Sequence, residues 1–214
     1  MVCEGVLWVP DDFDNLFSQI KTFKKPPLEH WHPTKVVNID LAIKANGEWF
    51  YQGTVIGRHR LVKLFSTVLR KDGDAYYLVT PQLKYVIDVE EVPFRAVELN
   101  QQKSGVDQKL YFRTNMDDVV LADANHPIII NVDENTQQPS PYITIRDGLQ
   151  AKINRSVFYE LVELLQSRAS IEGKLLGSMN KSNNVSDEGA LTFKDSSLNQ
   201  DFGVYSDGVF FAIG

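Results

Sequence analysis

Hydrophobic and polar positions change period several times along this chain. Phe13, Leu16, Phe17 and Ile20 recur at helical spacing. Asp11, Asp12 and Asp14 open that run and Lys21, Lys24 and Lys25 close it, the order a helix dipole favours. Pro26-Pro27 forbids continuation, so one amphipathic helix is predicted over about residues 11–23. An extended linker follows through Trp31 and Pro33. From Val36 the period becomes two, with Val37, Ile39, Leu41 and Ile43 on one face and Asn38, Asp40 and Lys44 on the other. Asn46-Gly47 predicts a tight hairpin turn, because both central residues of a type I′ turn need positive φ. Glu48 to Tyr51 returns as the second strand.

After Gly57 the period is helical again, with a stripe of Leu61, Leu64, Phe65, Val68 and Leu69 that Asp72-Gly73 is expected to end. Strands are predicted near 76–80, 84–89 and 94–99, then a polar connector over 100–107. More strands follow near 109–113, 118–121 and 127–132, and a Gln/Pro-rich loop spans about 133–141. Residues 142–146 and 149–153 form a hairpin around Asp147-Gly148. A helix over 155–168 is expected to bury Phe158, Leu161, Val162 and Leu165. From about 170 to 202, Ser, Asn, Gly and Asp dominate without sustained period, which predicts a flexible polar insertion. Val204-Tyr205, Asp207-Gly208 and Val209-Phe210-Phe211 then make a last hairpin.

Two internal similarities run through this pattern. Tyr77, Thr80, Val86 and Pro93 align without a gap on Tyr111, Thr114, Val120 and Pro127. Ile43-Lys44 before one turn and Ile56, Arg58, Leu61 and Leu64 at one helix match Ile145-Arg146 and Ile153, Arg155, Phe158 and Leu161. Together they predict an α+β fold of two related halves, each of antiparallel strands with a packed helix. The expected division is a helix and linker over 1–35, a first domain over 36–103 and a second over 104–214.

Composition narrows the class. The chain has 214 residues and a net charge of −6, which disfavours a nucleic-acid polymer as partner. Cys3 is the lone cysteine, so neither an intrachain disulfide nor a cysteine-rich zinc site can form. No basic region followed by an apolar run opens the sequence, and no apolar run spans a bilayer, so the expectation is a soluble cytoplasmic protein.

Several segments together resemble a bacterial family catalogued as domain of unknown function 1285. They are Pro26-Pro27-Leu28-Glu29-His30-Trp31-His32-Pro33, Ile39-Asp40-Leu41, Gly47-Glu48-Trp49-Phe50-Tyr51-Gln52-Gly53-Thr54, Ile56-Gly57-Arg58, Leu64-Phe65-Ser66, Leu78-Val79-Thr80-Pro81, Phe112-Arg113-Thr114-Asn115 and Phe158-Tyr159-Glu160-Leu161-Val162. The similarity covers roughly residues 26–168 and resumes at the last hairpin. It implies a duplicated two-domain α+β structure whose second half is superficially like pleckstrin-homology folds. It also implies a nucleotide-type ligand at the domain interface and a signalling role. The chain departs from the family pattern at Leu83, where an acidic residue is usual, and at Asp117, where glycine is expected. Its polar insertion is also longer.

Candidate chemistry is sparse. Residues 49–71 lack Asp and Glu but hold Arg58, Arg60, Lys63, Arg70 and Lys71. Arg58 and Arg60 fall in the first turn of the predicted helix, where the dipole opposes cations by about 0.3–1 kcal/mol each and suits an anion. The competing reading is a solvated basic face. Thr80 and Thr114 end matching strands, with Lys84, Arg113 and Asn115 nearby as donors; local turn bonding is the alternative. His30 and His32 flank Trp31 without a third metal ligand marked, and His126 before Pro127 reads as a turn residue. Trp49, Phe50 and Tyr51 could stack a base or simply pack. No phosphate loop, dinucleotide fingerprint, paired-histidine zinc motif or nucleophile elbow occurs.

The leading reading is therefore a ligand-binding protein, leaning away from an enzyme, that holds a small anionic or nucleotide-type ligand between its halves. Its candidate residues are Arg58, Thr80, Lys84, Arg113, Thr114, Asn115 and Arg155, with no metal and no cofactor. A protein–protein interaction module and a hydrolase without a recognisable motif are the alternatives.

Overall fold

The computed structural model describes residues 16, 19–20, 26–132, 138–167 and 202–213. Leu16, Gln19 and Ile20 are helical, with Leu16 and Ile20 buried. The rest of the helix expected over 11–23, the greater part of the Gln/Pro loop and the polar insertion lie outside the described residues.

After a 3-10 turn at Leu28–His30, strand β1 (Lys35–Ile43) buries Val37, Ile39, Leu41 and Ile43 and turns Val36, Asn38 and Asp40 outward. That alternation is what period two dictates for a strand with one covered face. Strand β2 (Trp49–Tyr51) returns antiparallel, Ile43 opposite Trp49, through a turn in which Gly47 has φ 86° but Asn46 does not take positive φ, so it is not the expected type I′ turn: the Gly47 amide closes on the Lys44 carbonyl at 2.8 Å. A short β3 (Thr54–Val55) follows, then helix α1 (His59–Ser66), which buries Val62, Phe65 and Ser66.

The helix is shorter than its stripe suggested. Thr67 donates its hydroxyl to the Leu64 carbonyl and caps the last turn, and Leu69–Asp72 becomes strand β4. Gly73 and Asp74 then form the two-residue turn of a hairpin with β5 (Ala75–Val79), Asp72 opposite Ala75, where a helix stop was expected. Val68 and Leu69 stay buried either way, which is why spacing alone could not separate the two. Strand β6 (Leu83–Val89) pairs antiparallel with β5 and parallel with β1, Val37 opposite Tyr85. The expectation of purely antiparallel strands is corrected at this pair: the first sheet is mixed, in the order β3-β2-β1-β6-β5-β4.

The second sheet contains β7 (Phe94–Gln102), β8 (Lys109–Thr114), β9 (Val119–Leu121), β10 (Ile128–Val132), β11 (Pro139–Arg146) and β12 (Leu149–Ile153). Their order is β10-β11-β12-β7-β8-β9. Numbered from its own first strand and taken from the other edge, this is the same 3-2-1-6-5-4 order as the first sheet. The two halves are thus related. Strand β7, which the sequence reading attached to the first domain, belongs to this second sheet. Helix α2 (Arg155–Glu163) follows β12 and buries Val157 and Leu161. It ends at Glu163, earlier than expected, and Val162 is exposed instead of buried.

A third, three-stranded sheet joins β13 (Gln166–Ser167), β14 (Phe202–Ser206) and β15 (Val209–Ala212), and contains the predicted last hairpin. Gln108 anchors it: its Nε2 donates to the Tyr205 carbonyl, and the Leu110 amide donates to Ser206 Oγ. By compactness the chain falls into two units. The first takes residues up to 95 with 114–118 and 145–152; the second takes 96–113, 119–144 and everything from 153.

Candidate functional site

Three stretches of the first unit build a small pocket of about 270 Å³. The β1–β2 turn supplies Gly47, Glu48 and Trp49. The approach to α1 supplies Val55, Ile56, Gly57, His59 and Val62. The turn after β8 supplies Asn115 and Met116.

Each side chain is placed by local chemistry. Trp49 is 1 % exposed and stacks on Phe65 with ring centroids 6.4 Å apart. Its indole Nε1 finds no acceptor among the described residues, a costly state for a buried donor. Asn115 Oδ1 accepts the Arg95 amide at 3.0 Å, and the Asn115 amide returns a bond to the Arg95 carbonyl at 2.8 Å. That pair fixes the carboxamide and leaves Nδ2 as a donor beside Gly47. A Cβ at Gly47 would stand 3.1 Å from this nitrogen and 2.8 Å from Arg95 Cγ. Glycine is required there by space as well as by φ.

The helix start has the features of an anion site. The first amides of a helix lack an acceptor one turn back, and no side chain caps the N-terminus of α1, although the Leu61 amide donates to the Arg58 carbonyl at 2.9 Å. Its first turn carries no acidic residue. Arg58, the N-cap residue, and Arg60 are exposed and without an ion-pair partner among the described residues. His59 Nε2 is 3.8 Å from Asp117 Oδ2, and Lys63 Nζ is 2.9 Å from the same oxygen. Asp117 has φ 63°, the left-handed conformation that explains why glycine is the expected residue there.

A second cleft of the same unit, about 440 Å³, is lined by Lys63, Ser66, Thr67, Met116, Asp118, Arg146 and Asp147, with Pro26, Leu28 and Glu29. Its cations are already engaged. Arg146 donates to Asp118 at 3.2 Å and to the Ser66 carbonyl at 2.6 Å, and lies 5.4 Å over the Phe94 ring. A third, about 510 Å³, adjoins Glu29, His32, Arg70, Asp72 and Asp147. There Arg70 donates to Asp72 at 3.0 Å and Lys84 does so at 2.6 Å. Partial burial pushes the Asp72 carboxyl up, but the hydrogen bonds and charges of Lys84 and Arg70 outweigh it and hold the group below its ordinary value.

Of the seven residues singled out by sequence, Asn115 lines the 270 Å³ pocket, and Arg58 stands between two of its lining residues. Thr80 and Thr114 are fully buried and cap their own turns. Thr80 Oγ1 accepts the Leu83 amide at 3.0 Å, and Thr114 Oγ1 accepts those of Met116 at 3.2 Å and Asp118 at 3.1 Å. Lys84 is bound to Asp72 and lies 5.1 Å from the Tyr77 ring centroid. In the second unit, Arg113 pairs with Glu98 at 2.6 Å, and Arg155 Nε donates to Tyr159 Oη at 2.6 Å. His126 is a turn residue: Asp123 Oδ1 accepts its amide at 2.8 Å and lies 2.9 Å from its Nδ1. Among the described residues, no three His, Cys, Asp or Glu side chains gather to hold a metal. No helix among them is long and apolar enough to cross a membrane. The unpartnered Trp49 donor and the pocket's Met116 wall escaped sequence reasoning, since no spacing signals an unmade hydrogen bond.

Comparison with known proteins agrees with this architecture. The family model "Domain of unknown function (DUF1285), N-terminal domain" matches residues 26–92. The model "Protein of unknown function (DUF1285), C-terminal domain" matches residues 93–181. Among curated proteins none matches. A crystal structure of a DUF1285 family protein from Silicibacter pomeroyi DSS-3 is 33% identical, covering 92% of this chain and 93% of that one, with a TM-score of 0.72. Another, from Shewanella baltica OS155, is 25% identical and covers 58% of this chain and 91% of that one, with a TM-score of 0.46.

Proposed function

Since the chain belongs to the DUF1285 family, whose description assigns no activity, its function has to be argued from its own site, and we propose that it binds a small anionic ligand in the pocket at the start of α1. The observation that carries this reading is a pocket beside a helix start with no side-chain cap, one of whose lining residues, Trp49, has a buried indole N–H without an acceptor among the described residues. Donors with no acceptor favour a ligand that supplies one, and the helix dipole favours a negative one. Asn115 Nδ2 adds a further donor, and Arg58 and Arg60 add positive charge at the rim. A regulatory or sensory role suits a binder of this kind, whose described pocket lining holds no Ser, Thr, Cys or Lys side chain.

Thermal unfolding in a panel of phosphate, sulfate, acetate and isovalerate tests the reading. At least one anion should raise the melting temperature in a concentration-dependent way, as ligands of the native state do. Arg58→Ala should weaken that ligand by about two- to fivefold, the range for a solvent-exposed charge pair. An anion response identical in the variant, or none in the parent, counts against the site.

A further inference from the structure

Resting on the anion reading above, we infer that the ligand is a monocarboxylate with a compact apolar body, a branched aliphatic chain or a single aromatic ring, and not a phosphate. Three observations converge on this class.

The first is charge. The one carboxylate in the pocket wall is Glu48, and no Lys or Arg side chain lines it. Arg58 and Arg60 stand at the helix start, outside the lining set. A phosphate monoester brings about −1.5 to −2 at neutral pH, roughly double the charge of a carboxylate. Glu48 therefore repels it about twice as strongly, while the attraction comes from partial charges at the end of a short helix. Glu48 is kept in place by Asn46, whose Nδ2 donates to its Oε2 at 2.7 Å.

The second is the wall. Beyond the donors, the surface is made by Val55, Ile56, Val62, Met116 and the Trp49 ring. Val55 is 48% exposed on the edge strand β3, an apolar side chain that ligand contact would cover. An inorganic anion uses none of this surface. An apolar body uses all of it, and burial of such area is the main source of small-ligand affinity.

The third is size and donor count. A volume of about 270 Å³ suits a body of one ring or one branched chain, and is cramped for a nucleotide. The side chains in the lining that can donate are Trp49, His59 and Asn115, beside the amides that open the helix.

The experiment follows the Trp49 indole N–H resonance of the full-length ¹⁵N-labelled chain, assigned by its loss in Trp49→Phe. Phenylacetate, isovalerate, phenylacetamide, inorganic phosphate and AMP are titrated in turn. The carboxylates are expected to shift that resonance saturably, with the neutral amide and both phosphates at least tenfold weaker. Trp49→Phe should weaken the carboxylates about tenfold in a competition assay. Val55→Asp, at an exposed edge where folding is spared, should abolish their binding. Glu48→Gln should narrow the gap between carboxylate and phosphate. If phosphate or AMP moves the resonance more strongly than the carboxylates, or Glu48→Gln leaves the gap unchanged, the monocarboxylate assignment falls while anion binding at the site stands. If no probe moves it, both fall.

Discussion

Thr114 shows how much a single hydroxyl does in this chain. It is fully buried, and its oxygen satisfies the amides of both Met116 and Asp118 while its own amide reaches the Asp118 carbonyl at 2.8 Å. Thr114→Val keeps the volume but strands two donors, so a loss of about 1–3 kcal/mol is expected in urea unfolding. A loss below about 0.5 kcal/mol would mean that water takes over both amides. Turn bonding was the alternative already open to the sequence for Thr80 and Thr114, because threonine competes for nearby backbone groups. The basic cluster at Arg58 was equally legible. What no residue string could reveal was that Trp49 is both core and donor: its ring packs on Phe65 while its nitrogen stays unpaired. Asp117 lies between these extremes. Its mismatch with a family glycine marked an unusual backbone, and the positive φ accounts for it.

Hairpins were read well at the scale of elements and helix ends poorly, for a physical reason. The glycine of an Asn-Gly or Asp-Gly pair takes positive φ readily, as Gly47, Gly73, Gly148 and Gly208 do, and so locates a turn, whereas Val68 and Leu69 satisfy a helix stripe and a strand alike. The strand that replaced the helix end carries Asp72, clamped by Arg70 and Lys84. The Asp72 carboxyl titrates below its unfolded value, so its stabilising contribution is present above the unfolded pKa and is lost as pH falls through the lower folded one. Acid unfolding should therefore steepen below the ordinary carboxylate range of about 3.9, and Asp72→Asn should flatten that part of the curve. Superimposable curves for the two proteins would show that the clamp contributes nothing. The terminal hairpin offers a sharper test. A Cβ on Gly203 would fall 2.1 Å from the Phe211 carbonyl oxygen of the paired strand. Gly203→Ala must push β14 from β15, and a loss of about 1–3 kcal/mol or insoluble expression is expected. A soluble variant with unchanged thermal stability would contradict the register.

The whole molecule is duplicated, but not along the similarities that first suggest it. The Thr80/Thr114 alignment matches β5 and β6 to β8 and β9, while the shared 3-2-1-6-5-4 order makes β5 equivalent to β11 and β8 equivalent to β2. Both sequence repeats follow hairpin and capping chemistry, which any turn of that type reuses. Topology is set by which distant strands meet, and those pairings leave no local signature. In each sheet the first and last strands lie side by side at the centre; in the first, Lys35 faces Leu83 across a parallel pair. Such non-local contacts bear a loop-closure cost before they are rewarded and slow folding. In pulse-labelled refolding, amides of the β4–β5 hairpin should gain protection ahead of those shared by β1 and β6. Simultaneous protection would show that the sheet forms as one unit.

That central seam also matters while the chain is being made. Residues leave the ribosome in order, so β1 emerges long before the strand it must lie against. Until β6 follows, Leu41 and Ile43 have no finished sheet to complete their cover, and an unpaired strand edge waits beside them. The same holds for β7 until β12 follows, so each nascent half needs chaperone protection until its last strand emerges, and rapid overexpression should send incomplete halves into aggregates.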